Sequence, residues 1–436
     1  METLMPVYAI VPFILMLLSI ALLPLFASEW WDNNRNKLMV SGILGIPTII
    51  WLLTKSMGIN LQETLIGDYI PFIILLGSLF IATGGIYVDG DIQSKPSVNV
   101  LLLLIGAILA SVIGTTGAAM LMIRPIISSN KERKFKAHTI LFFIAAVANF
   151  GGLLTPLGDP PLFLMYLKGV PFEWFFTLTS RWLVANGILL IVYYFVDSYF
   201  WKKETPEAKF FDKSNVRPMK IEGKINFLYL LGIILAVAFI NGKTFPIIKD
   251  VPVLAHLRDL AMVIMAALSL RTTKKVVRAK NNFTWGPIIE VAFLFIGIFV
   301  TMIPALAYLR QNAASFGLTA PWQLYYSSGM LSGFLDNAPT ALTFYNVALG
   351  LQHPGAITTG AGFVAGIPEI MMQAICTGAV LWGSLSYIGN GPNFMVKAIA
   401  ESQGVKMPDF LAYMYKFSIP VLVPIFVIIQ LIFYYM

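Results

Sequence analysis

The chain alternates long apolar runs with short polar interruptions along its whole length. Runs at 6–26, 38–53, 68–86, 138–168, 174–199, 225–240, 256–271, 284–307, 361–399 and 409–435 predict spanning α-helices, since most reach the roughly 17 to 25 residues that cross a hydrocarbon core. Two further runs, 98–127 and 321–349, differ. Each is about 30 residues long and carries small and polar residues at its centre, "VIGTTGAAM" and "GFLDNAPTA". An arm of about 14 residues rises only some 21 Å, short of the core. That length predicts a re-entrant hairpin, which enters and leaves on one face.

The runs also repeat in order. Gly77 matches Gly297 at an offset of 220, and Thr115–Thr116 matches Asp336–Asn337 at 221. "GGLLTPLGDPP" (151–161) matches "WGSLSYIGNGP" (382–392) at 231, aligning Gly152 with Gly383, Gly158 with Gly389 and Asp159 with Asn390. The expected fold class is an all-α polytopic membrane protein of two inverted repeats, each of five transmembrane helices and one re-entrant hairpin. Residues 1–199 form the first repeat (hairpin 98–127, broken helix 138–168). Residues 200–224 form a linker, and 225–436 the second repeat (hairpin 321–349, broken helix 361–399).

Charge sets the sidedness. With re-entrant hairpins, the loops at 27–37, 87–97, 124–136, 200–224, 271–280 and 397–406 share one face and hold 22 of the 30 Lys and Arg. The opposite loops hold five: Lys55, Lys168, Lys243, Lys249 and Arg310. The positive-inside rule then makes the first face and the 200–224 linker cytosolic, with both termini outside a plasma (inner) membrane. The same rule accounts for the net charge of +8, so no nucleic-acid partner is implied. Composition agrees with burial in a lipid bilayer: 58% hydrophobic, 12% charged, mean hydropathy +0.78. The N-terminal run lacks a basic n-region and reads as a retained helix. The one cysteine, Cys376, offers neither a disulfide nor a Cys-based metal site.

Inverted repeats with interrupted apolar segments at matching positions point to a secondary transporter with a midplane site. The interruptions are Gly114–Gly117, Asn149–Pro161, Asp336–Pro339 and Gly383–Asn393. Asp336 carries most weight, because a carboxylate held away from water at a hairpin tip suits proton exchange near neutral pH. Its side chain, or that of Asn337, also suits a helix N-cap before Pro339. Asp159 has the same two readings, with the cap favoured by the two prolines that follow. Asp336, Asn337, Asp159 and Asn390, with the hydroxyls of Thr115, Thr116, Thr155, Thr340, Ser384 and Ser386, supply hard oxygen ligands suited to a small alkali cation. Glu290 is a candidate proton relay or a side chain near the cytosolic interface, beside the basic 271–280 loop. Arg124 reads as a cytosolic anchor, Arg181 as the partner of a carboxylate or an anionic substrate, and His138 and His256 as interfacial residues.

"FLDNAPTAL" (334–342), "NFGGLLTPLGDPP" (149–161) and "YIGNGPNFMVKAIA" (387–400) together resemble the ion transporter superfamily. Its members include NhaD-type sodium/proton antiporters, arsenite permeases, and citrate and divalent-anion symporters, and the nearest likeness is to the NhaD-type branch. The resemblance implies that Asp336 and Asn337 belong to the ion site, faced by Asn149, Thr155, Asp159 and Asn390. It also implies a homodimer in which hairpins and broken helices slide as a unit, an elevator. The Ser-Asn-Thr signature of the dicarboxylate and citrate branch is absent from both tips.

The leading expectation is a Na⁺(Li⁺)/H⁺ antiporter, with Na⁺ or Li⁺ and H⁺ as partners and no cofactor beyond Na⁺ as transported or coupling ion. The alternative is an organic-anion (citrate or dicarboxylate) or arsenite-type permease. A remote third is an intramembrane aspartyl protease using Asp159 and Asp336. "PLGDPP" has Pro156 where its Gly-x-Gly-Asp pattern needs glycine, and no enzyme is expected.

Overall fold

A computed structural model describes residues 4–352 and 362–435. The first residue of the expected broken helix 361–399, residues 1–3 and 436 of the expected repeats, and the side chain of Lys249 lie outside the described residues. The protein is 77% helical with almost no sheet, and nine of its described helices are long and apolar enough to cross a membrane. It is an all-α polytopic membrane protein. Two more apolar helices, Ile225–Phe239 and Glu369–Leu385, are shorter.

Both unusual runs fold as helical hairpins. In the first, Pro96–Ile113 packs on Thr115–Ser129 across the single residue Gly114. Gly114 turns the chain with φ of 83°, a conformation that side chains with a Cβ rarely adopt. The opening arm has 18 residues, longer than the 14 expected, because its helix starts at Pro96, before the apolar run, and the break takes only Gly114. In the second, Pro321–Phe334 packs on Asn337–Gly350 across Leu335 and Asp336, and both are extended.

The broken helices are equally clear. Ala137–Ala146 gives way to a 3-10 turn at Phe150–Leu154 and resumes as Pro160–Leu167. Glu369–Trp382 gives way to a 3-10 turn at Gly383–Leu385 and resumes as Gly391–Ser402. Hairpin arm 321–334 packs along 369–382, and 337–350 packs against 160–167 and the long helix Gly286–Gln311. That long helix also packs on Asn34–Thr54, while Ile70–Thr83 packs on His256–Thr272.

At one end of the molecule, loops that the sequence assigned to one face are tied together. Tyr87–Asp91 pairs antiparallel with Arg217–Glu222, and Lys280 bonds Glu222. Asp212 accepts from the amide and hydroxyl of Ser94, and Glu204 accepts from the amides of Lys134 and Phe135. The 200–224 segment has a fold of its own, with a helix at Pro206–Ser214 and a strand at Arg217–Glu222.

Candidate functional site

A helix broken inside a membrane exposes carbonyls that lipid cannot satisfy, so other elements must reach in. At the first break, Asn149 Nδ2 donates to the Ile144 carbonyl (2.8 Å), Asn390 Nδ2 to that of Ala148 (3.1 Å), and Trp182 Nε1 to that of Gly151 (3.2 Å). At the second, Asn393 Nδ2 donates to Gly383 (2.8 Å), the Tyr413 hydroxyl to Ser384 (2.7 Å) and the Ser418 hydroxyl to Leu385 (2.7 Å). Glycines allow the close approach: a Cβ on Gly383 would lie 2.8 Å from Asn149 Oδ1, and one on Gly389 2.6 Å from the Gly383 carbonyl. Gly158 stands against Gly152 as Gly389 stands against Gly383, so the aligned pairs make the same contact in both halves.

Two prolines decide what Asp159 does. It occupies the N-cap position of Pro160–Leu167, yet Pro160 and Pro161 have no N–H to donate, and the Leu162 N–H goes to the Asp159 backbone carbonyl at 3.0 Å. Its side chain makes no cap, contrary to the reading that the prolines favour one. The freed carboxylate instead gathers three elements. The Thr115 hydroxyl donates to Oδ1 at 2.8 Å, Asn390 Nδ2 to Oδ1 at 3.0 Å, and Asn337 Nδ2 to Oδ2 at 2.5 Å. Asp159 is 2% exposed and Asn337 fully buried. Thr115, Asp159, Asn337 and Asn390 all stand at helix starts, so four positive N-terminal ends surround one carboxylate.

Asn149, fully buried, extends the cluster: its Nδ2 donates to Asn393 Oδ1 at 2.7 Å and its Oδ1 accepts from Asn390 at 3.3 Å. One atom stands out. Asn337 Oδ1 is buried and has no hydrogen-bond partner among the described residues. A small cavity of about 70 Å³ adjoins the cluster, lined by Thr115, Thr116, Gly158, Pro160, Leu79 and Val291.

A family model described as "Putative citrate transport" matches residues 2–434, nearly the whole chain. The chain belongs to that family. An uncharacterized transporter of Synechocystis sp. is 22% identical over 299 residues, covering 63% of this chain and 64% of that protein, so the match spans less than two thirds of the relative's length. The family description and the relative's name both speak of transport, in keeping with the apolar helices of a multi-pass membrane protein, and neither points to an enzyme family.

Among the described residues, the cluster contains no cationic side chain. Among the described residues, no Lys, Arg or His is bonded to Asp159. Arg181 lies elsewhere: its guanidinium bonds Gln373 (2.6 Å), the Thr177 carbonyl and Ser180, and stacks 4.6 Å over Phe433. Arg124 bonds the side chain and carbonyl of Asn281. Glu290 pairs with Lys37 at 2.7 Å, a partner from helix 34–54 and not from the 271–280 loop. It makes no bond to the cluster.

Asp336 is half-buried, and its Oδ1 accepts from the Ala338 amide at 3.0 Å, the cap read from its sequence. Thr340 bonds back to the Asp336 carbonyl, Ser384 to Leu381, and Thr155 to Ser111 across to the first hairpin. Ser386 does the same to Gly333 of the second hairpin. These four hydroxyls hold backbone, while Thr116 lines the cavity. Asn393 is the residue sequence reasoning missed at the cluster. Its place in "GNGPN", one turn after the break, was the available signal.

A second polar network was also missed. Asp197, fully buried, accepts from Arg133 (2.6 Å) and Asn99 (3.1 Å) and bonds His138 (2.7 Å), at the open end of the first hairpin. His138, partly buried, is thus a member of this network. His256 is only partly buried, pairs with Asp259, and lines a cleft of about 910 Å³.

Proposed function

We propose that the protein is a secondary active transporter exchanging Na⁺ (or Li⁺) for H⁺ at Asp159. The observation that carries this reading is a buried carboxylate held by neutral donors alone. Four helix N-termini already stabilise that internal anion, so a substrate carboxylate brought beside it would meet like charge with no Arg or Lys to offset it. A small cation meets the opposite. Asp159, Asn337 Oδ1, Asn149 Oδ1 and the Thr115 hydroxyl supply the hard oxygens that alkali cations take. Proton and cation then compete for one carboxylate, which is exchange.

The reading includes two inverted repeats, supported by the matched glycine contacts and by the paired hairpins and broken helices. It includes elevator-type movement in a homodimer, with the 200–224 segment cytosolic and both termini outside, supported by the charge asymmetry and the resemblance. The test is a Na⁺, Li⁺ or K⁺ pulse to proteoliposomes containing a pH dye. Alkali-cation-driven proton movement is expected; its absence for all three ions overturns the reading.

The family description favours a second reading, Na⁺-coupled uptake of citrate or a related organic anion. Accumulation of labelled citrate under an imposed Na⁺ gradient, without proton exchange, would select it.

A further inference from the structure

We propose that the helix Pro206–Ser214, in the segment between the two halves of the chain, docks on the anionic phospholipid headgroups of the bilayer, with Phe210 and Phe211 inserted among the lipids. The inference goes beyond the transport reading and needs no particular cargo. Its first basis is charge. Residues 202–224 hold seven Lys and Arg and four acids. Three of the acids are engaged by the protein itself: Glu204 by the amides of Lys134 and Phe135, Asp212 by Ser94, and Glu222 by Lys280. Only Glu207 is left exposed. None of the seven cations makes an ion pair among the described residues. The outward face of the segment is therefore cationic, the complement of an anionic lipid surface.

The second basis is depth. Tyr199 and Trp201 stand in the last turn and a half of the spanning helix Thr179–Lys203, where aromatic rings mark the headgroup level. Lys209 Nζ lies 5.4 Å from the centroid of the Trp201 ring. Asp212 holds Ser94, two residues before the helix Pro96–Ile113 begins, and the apolar helix Ile225–Phe239 starts where the segment ends. Pro206–Ser214 thus sits where three apolar helices begin or end.

The third basis is what this helix leaves uncovered. Asp212 is buried and turned to the protein, and Phe210 stands about 200° around the helix from it, at 3.6 residues per turn. Phe210 is 67% exposed and Phe211 55%. At headgroup depth the two rings reach acyl chains, while Lys209 and Lys213 carry their ammonium groups out to lipid phosphates on flexible apolar stems. The docked helix also clasps the first hairpin. Asp212 bonds the residue leading into its opening arm, and Glu204 bonds amides just beyond its closing arm Thr115–Ser129. Lipid headgroups that hold 206–214 therefore steady the open end of the hairpin whose tip carries Thr115.

The experiment puts a polarity-sensitive fluorophore at Phe210→Cys in the full chain, where the native Cys376 is fully buried. The protein is placed in nanodiscs of phosphatidylcholine alone, and of phosphatidylcholine and phosphatidylglycerol in equal parts. Emission is expected to shift to the blue with phosphatidylglycerol, and to shift back at about 1 M salt, where the Debye length falls to about 3 Å. The shift is expected to vanish when Lys209→Gln, Lys213→Gln and Arg217→Gln are combined; none of these side chains is buried, so the fold is expected to survive. Emission that reports water in both bilayers overturns the proposal and leaves the face to a soluble partner. Emission that reports lipid equally in both, or a phosphatidylglycerol shift that survives the triple variant, overturns the recognition of anionic headgroups. The measurement involves no ion flux, so its outcome is separate from that of the transport assays.

Discussion

The sharpest consequence of the site is that Asp159 and Asp336, one residue type at two interruptions, respond oppositely to the same substitution. Asp159→Asn keeps the shape and removes the charge. Its amide oxygen, placed at Oδ1, still accepts from Thr115 and Asn390. Its new NH₂ then faces Asn337, whose unpartnered Oδ1 turns in to accept it. All three contacts survive, so the expected stability change is under about 1 kcal/mol, the net worth of one neutral hydrogen bond. By contrast, Asp159→Ala takes the acceptor from the Thr115 hydroxyl and from Asn337 Nδ2, at about 1–3 kcal/mol apiece, while Asn390 keeps the Ala148 carbonyl and Asn149 Oδ1. Asp159→Asn should therefore be folded and inert, with Na⁺-driven proton flux at the level of protein-free vesicles. Asp336→Asn keeps the oxygen that caps Ala338, and Asn caps as well as Asp. Its flux should stay within about threefold of wild type, or about 0.7 kcal/mol. The assay is dye-reported proton flux beside thermal unfolding of each variant in detergent. Loss of flux in Asp336→Asn with flux retained in Asp159→Asn would refute the reasoning.

Three further outcomes are expected. Thr115→Val should lower exchange more than Thr115→Ser, because the hydroxyl bond to the carboxylate is worth about 1.5–3 kcal/mol; equal rates in the two variants count against it. Gly389→Ala places a Cβ 2.6 Å from the carbonyls of Gly383 and Ser332 and should destabilise by about 1–3 kcal/mol or more, while Gly391→Ala, with nothing within 4 Å, should be tolerated. Unfolding in detergent separates the two. Asp197→Ala takes from buried Arg133 its 2.6 Å carboxylate, leaving Glu204 at 4.0 Å, and should cost about 3–5 kcal/mol by the same measurement.

The apolar period and the positions of Gly and Pro were enough to find the two hairpin turns and the two broken helices. Burial in lipid forbids free backbone, so wherever a helix stops inside the membrane the chain must advertise it with Gly114, Pro160, Pro339 or Gly383. Loop charge grouped 87–97, 124–136, 200–224 and 271–280, and their bonds to one another place them together. Those signals are local, and sequence carries local signals well.

Which carboxylate gathers the site was not local. Asp159 and Asp336 read alike in one dimension, each a lone acid at a break before proline. The difference is whether the helix that follows can use the side chain. Ala338 has an N–H for Asp336; Pro160 and Pro161 have none for Asp159. That much stands in the sequence, but its consequence depends on where Thr115, Asn337 and Asn390 arrive, from positions 44, 178 and 231 residues away. The chain by itself determined that a buried acid would be left without a partner in its own helix. Only the tertiary structure decided what it met there, because hydrogen bonds at such separations are set by packing and not by neighbouring residues.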